Sequence, residues 1–328
     1  MQSSQHSSKG MVAINLLKIL RHIVTVPNMI VLTLVMLLVF CLMFTGCIPT
    51  KGKTPSETQA SYQLHYQLGI SHLAEGQTPQ AIKELLAAQT LQPNNADIEH
   101  ALGLAYQRKG LYDEAITQYK KALSLEPKLT EALNNLGTAY LAKGAYDEAI
   151  AQFQKCLADP SYSTPEKAAY NLGVAYFNKK DLDKAIEYYD KAVLVKEDLP
   201  EALYNLAYCH EERKEIPKAV ELYKKAIAAE PSFKEAYYRL GLIYKQQEQY
   251  DKALEMMNKI IEIDNDDPAA QFHAGSLLLK LGRLQEGLRL LNALAKQTPE
   301  NQWAKDALEQ INLVKKSFAT TGSGKQTR

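Results

Sequence analysis

One small residue returns along this chain with a nearly fixed period, and that period constrains the fold more than any other feature. Glycine or alanine stands at Gly69, Gly103, Gly137, Gly173, Ala207, Gly241 and Gly275, in steps of 34, 34, 36, 34, 34 and 34 residues. A second small residue recurs with it at Ala81, Ala115, Ala149, Ala185, Ala219, Ala253 and Gly287. Self-similarity at a period of about 20 to 50 residues marks a stacked repeat architecture. The unit from Ala96 to Leu129, ADIEHALGLAYQRKGLYDEAITQYKKALSLEPKL, shows what each repeat is. Leu102, Gly103 and Tyr106 share one amphipathic run, Ala115, Tyr119 and Ala122 share another, Gly110 separates them and Pro127 closes the unit. Asp113 and Glu114 put negative charge at the start of the second run, where the helix dipole favours it. The spacing predicts a helix hairpin, and because each hairpin leaves an apolar face uncovered, neighbours must stack on it.

The order Leu-Gly, Tyr, Ala, aromatic, Ala, Pro within that unit resembles the tetratricopeptide repeat. The resemblance implies an all-α, right-handed superhelical solenoid of about seven helix-turn-helix repeats over residues 62–301. Ser161, Glu197 and Asn265 stand where the third, fourth and sixth units would carry the closing proline, and the worn seventh is recognised from Ala274-Gly275, Leu278, Gly282 and Pro299. Pro79 and Pro217 fall in the first turn of a second helix, where proline costs no hydrogen bond. Residues 302–316, with Trp303, Ala307, Ile311 and Val314 on one side, read as a capping helix, and 317–328 as a polar tail.

The start of the chain is different. Met29 to Phe44, MIVLTLVMLLVFCLMF, is 16 residues without a charge, between the length of a signal-peptide core and that of a membrane span. Phe44-Thr45-Gly46-Cys47 resembles the lipobox of bacterial lipoproteins, with Phe44 where leucine is usual. That resemblance implies a signal peptide over 1–46, acylation of Cys47, and an anchor that more than one acyl chain makes stable. An uncleaved N-terminal anchor is the alternative. Ile48 stands where lipoproteins retained at the inner membrane often carry Asp, so the resemblance implies an outer-membrane site facing the periplasm, with an inner-membrane anchor as the alternative. Residues 48–61, with Pro49, Gly52 and Pro55 and no apolar period, read as a tether between Cys47 and the repeats.

Charge and chemistry-bearing residues exclude more than they suggest. The 38 basic and 37 acidic residues nearly cancel, so no nucleic-acid partner is expected. Cys41, Cys47, Cys156 and Cys209 show no metal or redox spacing, and Cys156 and Cys209 fall at packing positions. His72 and His210 occupy the slot that Tyr106, Tyr140, Tyr176 and Tyr244 fill elsewhere. No metal, no cofactor and no catalytic residue is expected, and the repeats leave no room for a catalytic domain. Gly322-Ser323-Gly324-Lys325 lacks the strand that a phosphate loop requires before it.

All nineteen tyrosines lie between residues 62 and 250. Tyr119, Tyr189 and Tyr223 fill the second-helix aromatic slot and read as core. A separate series lies on the first-helix face that lines the groove of the resembling repeats: Tyr66, His100, Asn134, Tyr170, Tyr204, Tyr238 and Phe272. One turn later come Ile70, Leu104, Val174, Tyr208 and Leu242, with Thr138 and Ser276 at the same register. This stripe is the candidate partner-binding groove for an apolar or amphipathic peptide segment; packing between repeats is the competing reading. Tyrosine suits the first because it offers large contact area with little entropy to lose.

The 36-residue step arises in a lengthened linker, Cys156 to Glu166, with an exposed Tyr162 expected beside Pro160 and Pro165. A lipobox, repeats, and a long loop carrying Tyr162 and Pro165-Glu166 before Asn171-Leu172-Gly173 resemble the pilotin lipoproteins of type IV pilus systems, the PilF/PilW class. That resemblance implies a non-catalytic, lipid-anchored scaffold whose partner is a secretin subunit, with Tyr162 and Pro165 as candidate contact residues. A general cell-envelope adaptor, for cell-wall enzymes for example, is the alternative.

Overall fold

The computed structural model describes residues 55–297 and 299–323, with side chains over 58–297 and 299–316. Cys47, the apolar run before it and the lipobox lie outside the described residues. Fifteen α-helices and no strand are found among the described residues. They are α1 Pro55–Ala74, α2 Thr78–Leu91, α3 Ala96–Arg108, α4 Tyr112–Leu125, α5 Thr130–Ala142, α6 Tyr146–Ala158, α7 Pro165–Asn178 and α8 Leu182–Val195. The second half continues with α9 Pro200–Glu212, α10 Ile216–Ala229, α11 Lys234–Gln246, α12 Tyr250–Ile263, α13 Pro268–Lys280, α14 Leu284–Gln297 and α15 Gln302–Ser323. The chain divides after Ala60 into two units, and the array described below is the second.

Each odd-numbered helix from α1 to α13 pairs with the next to make seven hairpins, and successive hairpins stack in chain order. The periodic glycine is a contact point. Cβ atoms built on Gly137 and Gly173 would lie 2.5 Å from the rings of Phe153 and Tyr189, the fully buried aromatics of the second helix in the same hairpin. A small residue on the first helix and a ring on the second are therefore one packing unit, and their shared period follows from the close approach of the two backbones. One continuous core runs from Ala149 to Leu278 across the third to seventh hairpins. At the end, α15 covers it with Trp303, Ala304, Ala307 and Ile311 against Leu291 and Leu294.

Gly110 turns its hairpin with φ +78°, whereas Lys180, Lys214 and Glu248 hold the same left-handed turn with side chains attached. Such residues adopt it at a cost of about 1 kcal/mol or more. Pro79 and Pro217 do sit in the first turns of α2 and α10.

Two boundaries and one side chain differ from the sequence reading. The expected tether is helical from Pro55 onward, because proline preset at the first helical position favours initiation where apolar periodicity is silent. The capping helix extends to Ser323, into the stretch read as a polar tail. Tyr162, expected to be exposed, is only 7% exposed: its side chain packs with Leu133, Cys156 and Ala168. The longer linker folds back over the gap between the third and fourth hairpins, so Tyr162 is a plug rather than a presented side chain. Pro165 begins α7, again at a position that needs no N–H partner.

Candidate partner-binding face

The stripe residues lie on the first helices α1, α3, α5, α7, α9, α11 and α13, one set per repeat. Tyr66, His100, Leu104, Asn134, Tyr170, Val174, Tyr204, Tyr208, Tyr238, Leu242 and Phe272 are all half-buried, and Ile70 is exposed at 37%. Their inner edges pack on the protein. The His100, Tyr170 and Tyr204 rings lie 5.8, 5.9 and 5.6 Å from Tyr119, Tyr189 and Tyr223 in the same hairpins. Tyr204 also meets Phe233 at 5.4 Å, and Phe272 meets Trp303 at 5.3 Å. The face is thus built by packing and still presents its outer edges.

A ladder that the sequence reading missed fixes these side chains. From the third repeat onward, a polar residue stands immediately after the stripe position and reaches back to the preceding repeat. Asn135 Nδ2 lies 2.9 Å from His100 Nε2, Asn171 Nδ2 donates to Asn134 Oδ1 at 3.1 Å and Asn205 Nδ2 donates to the Tyr170 hydroxyl at 3.1 Å. His273 Nε2 lies 3.0 Å from the Tyr238 hydroxyl. The signal was a polar residue recurring beside the stripe, invisible without knowing that first helices lie side by side.

At the fifth to sixth repeats the ladder residue is Arg239. Its guanidinium donates to Glu211 Oε1 at 2.7 Å and to Oε2 at 3.2 Å, and lies 4.6 Å from the Tyr208 ring. Glu211 Oε2 also accepts the Tyr223 hydroxyl at 2.7 Å. Burial raises the pKa of Tyr66, Tyr170, Tyr204, Tyr208 and Tyr238 and lowers that of His100, while burial together with the Lys245 charge lowers His273 to about 4. These phenols and imidazoles are neutral surfaces at physiological pH, suited to contact and hydrogen bonding.

The remaining chemistry-bearing residues are structural. Burial pushes the Cys156 and Cys209 thiols up to about 12, which removes the thiolate that reactivity requires. His72 and His210 bond Gln77 and Glu215 at the turns that end their own helices. Among the described residues no group of His, Cys, Asp and Glu is placed to hold a metal ion, and no helix is long and apolar enough to cross a membrane.

Tetratricopeptide-repeat models match residues 69–110, 100–164, 166–230, 212–271 and 244–311. This chain belongs to the tetratricopeptide-repeat family. No curated protein matches its sequence. Among solved structures, PilW, described as a widely conserved type IV pilus biogenesis factor, is 20% identical, with a TM-score of 0.52 over 75% of this chain and 98% of its own. A tetratricopeptide repeat protein from Parabacteroides merdae is 19% identical, with a TM-score of 0.54 over 76% of this chain and 98% of its own. MamA is 31% identical over 50% of this chain and 95% of its own, with a TM-score of 0.45. The family is a protein-interaction scaffold, and an all-α repeat solenoid is what this member builds.

Proposed function

We propose that this protein is a non-catalytic scaffold, anchored by lipid on Cys47 in the outer membrane, that captures a partner segment on its first-helix face and acts as pilotin for a type IV pilus secretin. The observation that carries the reading is the stripe: half-buried aromatic and aliphatic side chains on six of the seven first helices, with Asn134 on α5, and with His100, Asn134, Tyr170 and Tyr238 fixed by hydrogen bonds between repeats. Preordering lowers the entropy cost of capturing a chain segment. The pilus assignment draws on the lipobox-like Phe44 to Cys47, the long loop after the third repeat and the description of PilW as a pilus biogenesis factor.

Two variants separate anchoring from recognition. Cys47→Ala is expected to leave partner binding intact and abolish secretin assembly, and assembly at the normal level would refute the pilotin role. Ile70→Ser with Leu242→Ser is expected to weaken partner binding with little change in helicity, because Ile70 is exposed and Leu242 half-buried. Unchanged binding would refute the groove. Tyr204 is a poorer probe, since its ring packs on Tyr223 and Phe233. PilW is matched over 98% of its own length but only 75% of this chain, which favours a second reading as a general envelope adaptor. Recovery of cell-wall hydrolases without secretin in a pull-down would select it.

A further inference from the structure

Two sets of first-turn carboxylates are treated differently by this fold. On the second helices, Asp113, Asp147 and Asp183 each pair with a cation from the next repeat, Lys143, Lys179 and Arg213 respectively. On the first helices, Asp97, Glu131, Glu201 and Glu235 stand in α3, α5, α9 and α11, three residues before the stripe residue of the same helix and therefore on its face. None of these four is in an ion pair among the described residues, and the only hydrogen bond of Glu131 is a 3.4 Å contact from the Thr130 hydroxyl. Nearby cations are already engaged: Lys234 lies 2.6 Å from Asp264, and Arg239 is held by Glu211.

Each free carboxylate also neighbours the stripe residue of the repeat before it. Asp97 acts on Tyr66, Glu131 on His100 and Glu201 on Tyr170, in each case as a smaller effect beside burial, and Glu235 acts on Tyr204 behind both burial and the Arg239 charge. Aromatic ring and carboxylate thus alternate along one edge of the face, interrupted at α5, where Asn134 replaces the ring, and at α7, where Lys167 takes the register. At the first interval the pair opens onto a cavity of about 320 Å³, lined by Tyr62, Gln63, Tyr66, Gln67, Asn95 and Asp97. Two tyrosines and a carboxylate lining one volume suit an ammonium or guanidinium group.

We infer that the partner segment taken by the first-helix face is cationic and amphipathic, its lysine or arginine side chains seated beside Tyr66, His100, Tyr170 and Tyr204 against Asp97, Glu131, Glu201 and Glu235. This rests on the reading of that face as the partner-binding surface. Charge complementarity along one edge fixes orientation and speeds encounter while the apolar stripe supplies contact area.

The test uses the full chain in non-ionic detergent and three synthetic peptides of one amphipathic pattern, Leu/Lys, Leu/Gln and Leu/Glu. The Leu/Lys peptide is expected to bind at least about tenfold tighter than Leu/Gln, and to lose that advantage at high salt. The quadruple variant Asp97→Asn, Glu131→Gln, Glu201→Gln, Glu235→Gln should erase the advantage while circular dichroism stays unchanged. The single variant Asp97→Asn, at an exposed first-turn position, gives the same readout at smaller amplitude should the quadruple variant fail to fold. Equal binding of Leu/Lys and Leu/Gln that is lost in Ile70→Ser with Leu242→Ser would overturn the cationic inference and leave the groove standing. Binding insensitive to either set of substitutions, or no binding, would overturn both.

Discussion

Removing the Glu211 carboxylate tests how the candidate face is held, because two groups from two neighbouring helices converge on it. Its oxygens accept two bonds from Arg239 of α11 and one from the Tyr223 hydroxyl of α10. The side chains of Arg239 and Glu211 are 25% and 16% exposed, so the pair is shielded but not dry. Glu211→Ala leaves the Tyr223 hydroxyl without its acceptor inside a closed ring slot, which costs about 1–3 kcal/mol. Loss of the partly shielded ion pair adds about 1 kcal/mol after allowance for solvent, giving about 3 kcal/mol in all. Arg239→Ala is expected to cost about 2 kcal/mol, since the Tyr223 bond survives. The double variant should cost about 1 kcal/mol less than the sum, because each single change strands a partner that the double change removes. Stacked repeats open locally, so amide hydrogen exchange over α9, α10 and α11 is the assay, reporting these energies where a global melt averages them. Strict additivity of the two substitutions, or a cost for Glu211→Ala below about 0.5 kcal/mol, would refute the shared network.

Gly173→Ala opposes helix propensity to packing: propensity alone would stabilise α7 by about 1 kcal/mol, whereas a Cβ 2.5 Å from the buried Tyr189 ring adds overpacking of about 1–3 kcal/mol. A lower melting temperature is expected, and an equal or higher one would refute the contact. His273 has its folded pKa lowered to about 4, below the unfolded value of about 6.5, so its neutral burial stabilises the fold at neutral pH. That contribution, about 3 kcal/mol, is lost as pH falls from about 6.5 through about 4. His273→Phe should flatten this part of the profile relative to the native chain, followed through the fluorescence of Trp303, whose ring lies 5.3 Å from His273. Identical acid profiles would show that His273 does not contribute.

Sequence alone determined the repeat. A period set by Gly103 against Tyr119, and by Gly173 against Tyr189, is local within one hairpin, so it is written in the chain at fixed spacing and needs no knowledge of neighbours. The second-helix starts, the glycine turns and the stripe positions follow from the same alignment of units. Boundaries at Pro55 and Ser323 were misread because helix initiation and extension there leave no apolar period. What only the tertiary structure decided are relations between repeats: which polar residue reaches back to fix the stripe, that Tyr162 plugs a gap, and that Asp113 finds Lys143 while Asp97 finds no cation among the described residues. Those depend on which helices lie side by side and how far each side chain reaches across the join. The stacking geometry sets both quantities, and residues some 35 apart must be brought together before either has meaning.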